Sequence, residues 1–135
     1  PCGSYTIEQH NFGFFRLDGG SMFGSVPKNL WSKRIPADAE NCIRLATRSL
    51  LLRDGDRTVL IDCGMGEKWN EKQRSIYGIE NVPRAAWGFA PESITDLVLT
   101  HLHFDHAGGI SEAVGDGSFR PVFPNARVHV QAANV

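Results

Sequence analysis

The sequence predicts a mixed α/β fold with a mixed β-sheet, and three observations carry that prediction. Two short apolar runs, Thr58-Val59-Leu60-Ile61 and Leu97-Val98-Leu99, have the composition of buried strands. Between them, Glu67 to Tyr77 has helical composition and ends at Gly78, a residue suited to a helix C-cap. Three of the five histidines then fall within six residues directly after the second apolar run.

Taken in order, Tyr5-Thr6-Ile7 and Phe12 to Leu17 read as two short strands around a turn, with His10 exposed between them. Asp18-Gly19-Gly20 closes the second. Ser21 to Asn41 has the Gly, Pro and Ser content of a loop yet carries Met22, Phe23, Val26, Leu30 and Trp31, so an ordered, packed loop is expected. Ile43 to Arg53 reads as a long strand, and Asp54-Gly55-Asp56 turns it into a hairpin with Arg57 to Asp62. Cys63-Gly64-Met65-Gly66 breaks the strand before the helical stretch. Pro91-Glu92-Ser93 suits one helical turn, followed by a strand over Asp96 to Thr100. Ala126 to Gln131 alternates as a last strand, with Val128 and Val130 on one face and His129 on the other. Ala132 to Val135 add no closing helix, so the chain is expected to stop inside its domain.

Bulk properties exclude several classes of function. At 135 residues, 41% hydrophobic and 21% charged, the chain fits one globular domain. Its formal net charge of -1 gives no basic field for nucleic acid, and Lys33-Arg34 is too short a basic run to make one. No apolar stretch is long enough to span a bilayer, and the first residues lack the character of a signal peptide. Cys2, Cys42 and Cys63 match neither a disulfide framework nor a zinc knuckle, and read as reduced thiols of a cytoplasmic protein. Pro1 is not the product of a start codon, which leaves a secreted parent open.

The chemistry concentrates in His101-Leu102-His103-Phe104-Asp105-His106. Imidazoles with a carboxylate are a ligand set for zinc and similar divalent ions. Positions 101, 103 and 105 share one side of an extended backbone, whereas Asp105 and His106 serve one site only if the chain turns near Phe104. Ala107-Gly108-Gly109 suits such turning. Four donors so close together are hard to aim at one ion. Dividing them, His101 with His103 and Asp105 with His106, relieves the geometry and leaves each pair short of ligands. A single structural zinc and a surface histidine cluster are the competing readings, and no thiols at suitable spacing favour the first.

This run after a buried strand resembles the metallo-β-lactamase superfamily. Leu60-Ile61-Asp62-Cys63-Gly64 resembles the first motif of that superfamily, and Leu97-Val98-Leu99-Thr100-His101 its approach to the ligands. Asp18-Gly19-Gly20-Ser21-Met22-Phe23-Gly24 with Val26-Pro27-Lys28 is similar to the lactonase branch that includes the quorum-quenching N-acyl homoserine lactone hydrolases. The resemblance implies the N-terminal half of an αββα sandwich, with residues 1–135 as the N-terminal portion of one domain. It implies two divalent metal ions, zinc first and Mn, Fe or Co as alternatives, holding a hydroxide that attacks a lactone or similar ester carbonyl. His101, His103, Asp105 and His106 would be metal ligands, Asp105 would also pass a proton to the leaving alkoxide, and Asp62 would orient a ligand. Met22 and Phe23 would wall the acyl group. The family's remaining ligands match no residue here, so this chain alone is expected to be inactive. The expected partner is a small-molecule ester or lactone, with a homodimer as the assembly and neither nucleic acid nor membrane. Thioester hydrolysis of the glyoxalase II kind, phosphoester hydrolysis, and a non-catalytic metal-binding interaction module are the alternatives.

Overall fold

The computed structural model describes residues 3–135. Cys2, one of the thiols considered above, lies with Pro1 outside the described residues. A six-stranded mixed sheet organises the chain. The first strand, β1 (Thr6–Asp18), runs antiparallel to β2 (Cys42–Asp54), which turns through Gly55 and Asp56 into antiparallel β3 (Arg57–Ile61). Two short helices, α1 (Gly19–Phe23) and α2 (Lys28–Trp31), bridge β1 and β2; α3 (Glu71–Tyr77) and β4 (Glu80–Asn81) follow β3. The chain then re-enters the sheet as β5 (Asp96–Val98), continues through the one-turn helix α4 (Phe104–Ala107) and a small hairpin of β6 (Ser111–Ala113) and β7 (Phe119–Pro121), and ends in β8 (Arg127–His129). Sheet order is β4-β1-β2-β3-β5-β8, with β3, β5 and β8 parallel.

Register explains the core. Leu51 stands opposite Leu60, and Leu60 opposite Leu97, so a row of leucines crosses three strands on one face. All three are fully buried. Each contributes roughly 1.5–3 kcal/mol by leaving water. Phe12, Cys63, Ile94, Leu99, Val122 and Phe123 complete the cluster, with Trp87 and Phe89 packed against it. No helix among the described residues is long and apolar enough to cross a membrane.

Several expectations change. The two short N-terminal strands are one strand of 13 residues, interrupted by a bulge between Asn11 and Phe14. Asn11 Oδ1 accepts from the Gly13 amide, and a side chain at Gly13 would run into the backbone of β4. His10 therefore lies within β1, only 19% of its side chain exposed, with its ring edge-on to Phe89 at 5.2 Å. Helix α3 begins at Glu71, four residues later than composition suggests. Asn70 caps it in a reciprocal box with Gln73, which fixes the start more sharply than residue preferences can. The loop from Ser21 to Asn41 packs through Trp31, while Met22, Val26 and Leu30 stay exposed. Val128 and Val130 are exposed too, because β8 is the edge of the sheet.

Candidate metal centre

The C-terminal ends of adjacent parallel strands are where open α/β sheets gather ligands, and here β3 and β5 deliver Asp62 and the histidine run. Asp62 follows β3 with a left-handed backbone (φ 60°), a conformation that Asp tolerates better than most side chains. Its amide donates to the Val98 carbonyl at 2.9 Å, tying it to β5. Its buried carboxylate accepts the Thr100 amide on Oδ1 at 2.8 Å. The Thr100 hydroxyl lies 3.0 and 2.8 Å from the two carboxylate oxygens, and His106 Nδ1 lies 2.8 Å from Oδ2.

Backbone lacing holds the two loops together. The Cys63 amide donates to the His106 carbonyl at 2.8 Å, and the Gly109 amide to the Gly64 carbonyl at 2.9 Å. A Cβ at Gly108 would strike the Met65 carbonyl oxygen, and one at Gly109 the Cys63 carbonyl oxygen. The glycine pair after the histidines thus permits backbone-to-backbone contact. Cys63 itself is buried, and burial followed by the charge of Asp62 pushes its thiol up to about 12. Such a thiol is neither a nucleophile nor a ready ligand near neutral pH.

The expected turn occurs as α4. His103 caps it in extended conformation with an exposed side chain, and Asp105 and His106 lie within it, half-buried. The ring of His101 stands 4.0 Å from that of His106 and 4.7 Å from that of His103, centroid to centroid. Asp105 Oδ2 is 3.3 Å from His106 Nε2. Among the described residues, no three His, Cys, Asp or Glu side chains close around a single point.

The donor set fits a divalent metal. A carboxylate only accepts, so His106 Nδ1 must carry the proton it gives to Asp62, and Nε2 is bare in the neutral ring. In that neutral form Nε2 and the Asp105 carboxylate set two lone-pair donors side by side, an arrangement that a cation reconciles. Their 3.3 Å separation equals the edge of a tetrahedron with bonds of about 2.0–2.1 Å.

Other candidates are placed differently. Phe23 stacks on Trp31 at 4.9 Å, and Met22 beside it is 47% exposed. Phe104 is an aromatic that sequence reasoning passed over. It sits between His103 and Asp105, and its ring packs at 5.4 Å from Tyr77, 5.6 Å from Trp69 and 6.0 Å from Phe15. Its place inside the histidine run was the only signal available. A cavity of about 300 Å³ lies behind the loops against Phe12, Cys63, Trp87, Gly109 and Val122, and the histidines do not line it. The His129 side chain turns towards the start of β5, where its Nε2–H donates to Asp96 Oδ1 at 2.7 Å.

Comparison with known proteins agrees with this architecture. A ribonuclease of Thermus thermophilus is 34% identical over 73 residues, 54% of this chain and 15% of that protein. The crystal structure of a probable metal-dependent hydrolase from Staphylococcus aureus superposes with a TM-score of 0.85 at 34% identity, covering 97% of this chain and 48% of that one. AidC, a dizinc quorum-quenching lactonase, shares the fold at 23% identity with a TM-score of 0.67, covering 96% of this chain and 42% of its own. The chain thus spans half or less of the length of these proteins. The family model for the metallo-beta-lactamase superfamily matches residues 43–122, a span that runs from β2 through the histidine run to β7. With more than half of its length inside that match, the chain belongs to the metallo-beta-lactamase superfamily.

Proposed function

We propose that this chain is the N-terminal portion of a metal-dependent hydrolase domain that opens a lactone or a similar carboxylic ester. The observation that carries the reading is His106 Nε2 facing the Asp105 carboxylate at 3.3 Å, beside two further imidazoles. His101 and His103 would hold one divalent ion and Asp105 with His106 a second, zinc in the first place, with further donors from the rest of the domain. Bound there, such ions polarise a carbonyl and bring the pKa of water towards neutrality.

The chain's own residues do the rest. Asp62 holds His106 in one orientation, and the laced glycine loops hold Asp62 against α4. The Asp105 carboxylate takes the proton released from water and returns it to the leaving alkoxide oxygen. Phe104, backed by Trp69 and Tyr77, offers an apolar wall next to the donors, and exposed Met22 supplies a second contact for an acyl group. Phe23 supports Met22 through its stacking on Trp31.

The likeness in fold to a lactonase and the apolar wall favour a small ester, and the net charge of -1 disfavours a polyanion. The Thermus ribonuclease favours a second reading, hydrolysis of a phosphodiester. Assay of the whole protein bearing this chain, against a lactone panel, a glutathione thioester and a phosphodiester, separates them. The expected result is lactone turnover that a chelator abolishes and zinc restores. Phosphodiester turnover without lactone turnover selects the second reading, and chelator-insensitive turnover overturns the metal assignment.

A further inference from the structure

The hydroxyl of Thr100 touches three polar atoms: both oxygens of Asp62, at 3.0 and 2.8 Å, and Nδ1 of His101 at 3.1 Å. A hydroxyl has one hydrogen to donate. An ionised carboxylate can only accept, so that hydrogen goes to Asp62. The oxygen of Thr100 is then left as an acceptor towards His101, and Nδ1 of His101 must be the protonated nitrogen. The same carboxylate fixes His106, whose Nδ1 donates to Oδ2 directly. One buried side chain thereby sets two imidazoles, the first through a hydroxyl and the second without an intermediary.

We infer that Thr100 is a positioning residue: its hydroxyl relays the Asp62 carboxylate to His101, fixes that ring with Nδ1 protonated, and presents a bare Nε2 for metal. The inference rests on the proposed reading of His101 as a ligand for its consequence on metal, while the tautomer stands on the hydrogen bonds alone. Free histidine favours the other tautomer, with the proton on Nε2, and that form would block the nitrogen Thr100 leaves bare. The Thr100 backbone contributes separately, since its amide also donates to Asp62 at 2.8 Å. A valine at position 100 keeps that amide and the branched shape and removes only the hydroxyl. A serine keeps the hydroxyl.

The experiment is ¹⁵N NMR of the histidine side chains in the metal-free form of the whole protein bearing this chain, unsubstituted and as Thr100→Val and Thr100→Ser, followed by zinc titration of each. Expected is a His101 ring protonated at Nδ1 in the unsubstituted and serine proteins, and a shift towards Nε2 protonation in the valine protein. His106 keeps its Nδ1 proton in all three. Zinc binding is expected to weaken about 10–100-fold with valine, the usual effect of losing a hydrogen bond to a ligand, and to recover with serine. An Nε2-protonated His101 in the unsubstituted protein overturns the relay, as does a valine protein with unchanged tautomer. The tautomer shift without zinc binding by any of the three supports the relay and overturns the metal reading instead.

Discussion

Asp62 Oδ2 and His106 Nδ1 meet at 2.8 Å across a sequence separation of 44 residues. That contact joins the loop after β3 to α4, and it is made by a carboxylate with almost no exposure to solvent. Asp62→Asn tests it with little change in shape. If Oδ1 stays on Thr100, the new amide group meets His106 Nδ1–H, donor against donor. The ring must turn or surrender its tautomer. We expect zinc affinity to fall about 10–100-fold and stability to fall by about 1–3 kcal/mol, the cost of buried donors left unpaired. Zinc titration and urea unfolding measure the two effects; unchanged affinity would detach Asp62 from the centre.

His103→Ala separates chemistry from folding. The side chain of His103 is exposed and makes no capping hydrogen bond to α4, so its removal should change stability by less than about 0.5 kcal/mol. In the whole protein the same substitution should abolish metal-dependent turnover. Thermal unfolding beside a chelator-controlled assay checks both halves, and full activity in this variant refutes the ligand assignment.

Much of this was legible in sequence for reasons that are local. The strands carrying Leu51, Leu60 and Leu97 announce themselves by apolar runs and alternation. The candidate donors are legible because they are contiguous, four ligand-type residues in six positions. The role of Thr100 is not, since its partner carboxylate lies 38 residues away and only the pairing of β3 with β5 brings them together. The continuity of β1 is hidden for a related reason. The expected turn between Ile7 and Phe12 is continuous strand, and the irregularity lies just beyond it, a bulge whose Gly13 fits against β4, an element remote in sequence. Phe104 illustrates the same limit: its neighbours Trp69 and Tyr77 are named by packing, not by spacing.

The glycine pair gives a sharper test of the loop contact. A methyl group at position 109 would overlap the Cys63 carbonyl oxygen, and backbone yields less readily than a flexible side chain. Gly109→Ala should cost about 1–3 kcal/mol, as overpacking does, and should also disturb Asp62, one residue from Cys63. Gly115→Ala is the control, because a Cβ there meets nothing within 4 Å. Equal unfolding midpoints for the two variants would show that the loops separate more easily than their hydrogen bonds suggest.

Cys63 should be silent to thiol reagents. Burial holds its thiol at about 12, against the ordinary value near 9, so almost no thiolate exists at pH 8. Mass spectrometry after iodoacetamide at that pH should find Cys63 modified only once the chain is unfolded. The raised pKa also has a sign. Stability from the neutral buried thiol is complete below pH 9 and is lost as pH climbs from 9 towards 12, because the unfolded chain releases that proton first. Cys63→Ser removes this alkaline limb; a limb that survives the substitution belongs to another group.

At the opposite end of β5, Asp96 answers to acid. The Arg57 guanidinium, then His129 and then the Thr95 hydroxyl hold its carboxyl well below the usual carboxylate range. A folded-state pKa below the unfolded one makes stability rise with pH across that interval. The contribution is present above the ordinary value for Asp, about 3.9, and fades as pH falls towards the folded value. Asp96→Asn cannot titrate. The stability difference between the unsubstituted protein and the asparagine variant should therefore be flat between pH 7 and 5, about the upper arm of that titration, and should shrink below it. Urea midpoints across this range measure it. A difference that persists undiminished in strong acid would place the effect of Asp96 in its packing between β3 and β8 and not in its charge.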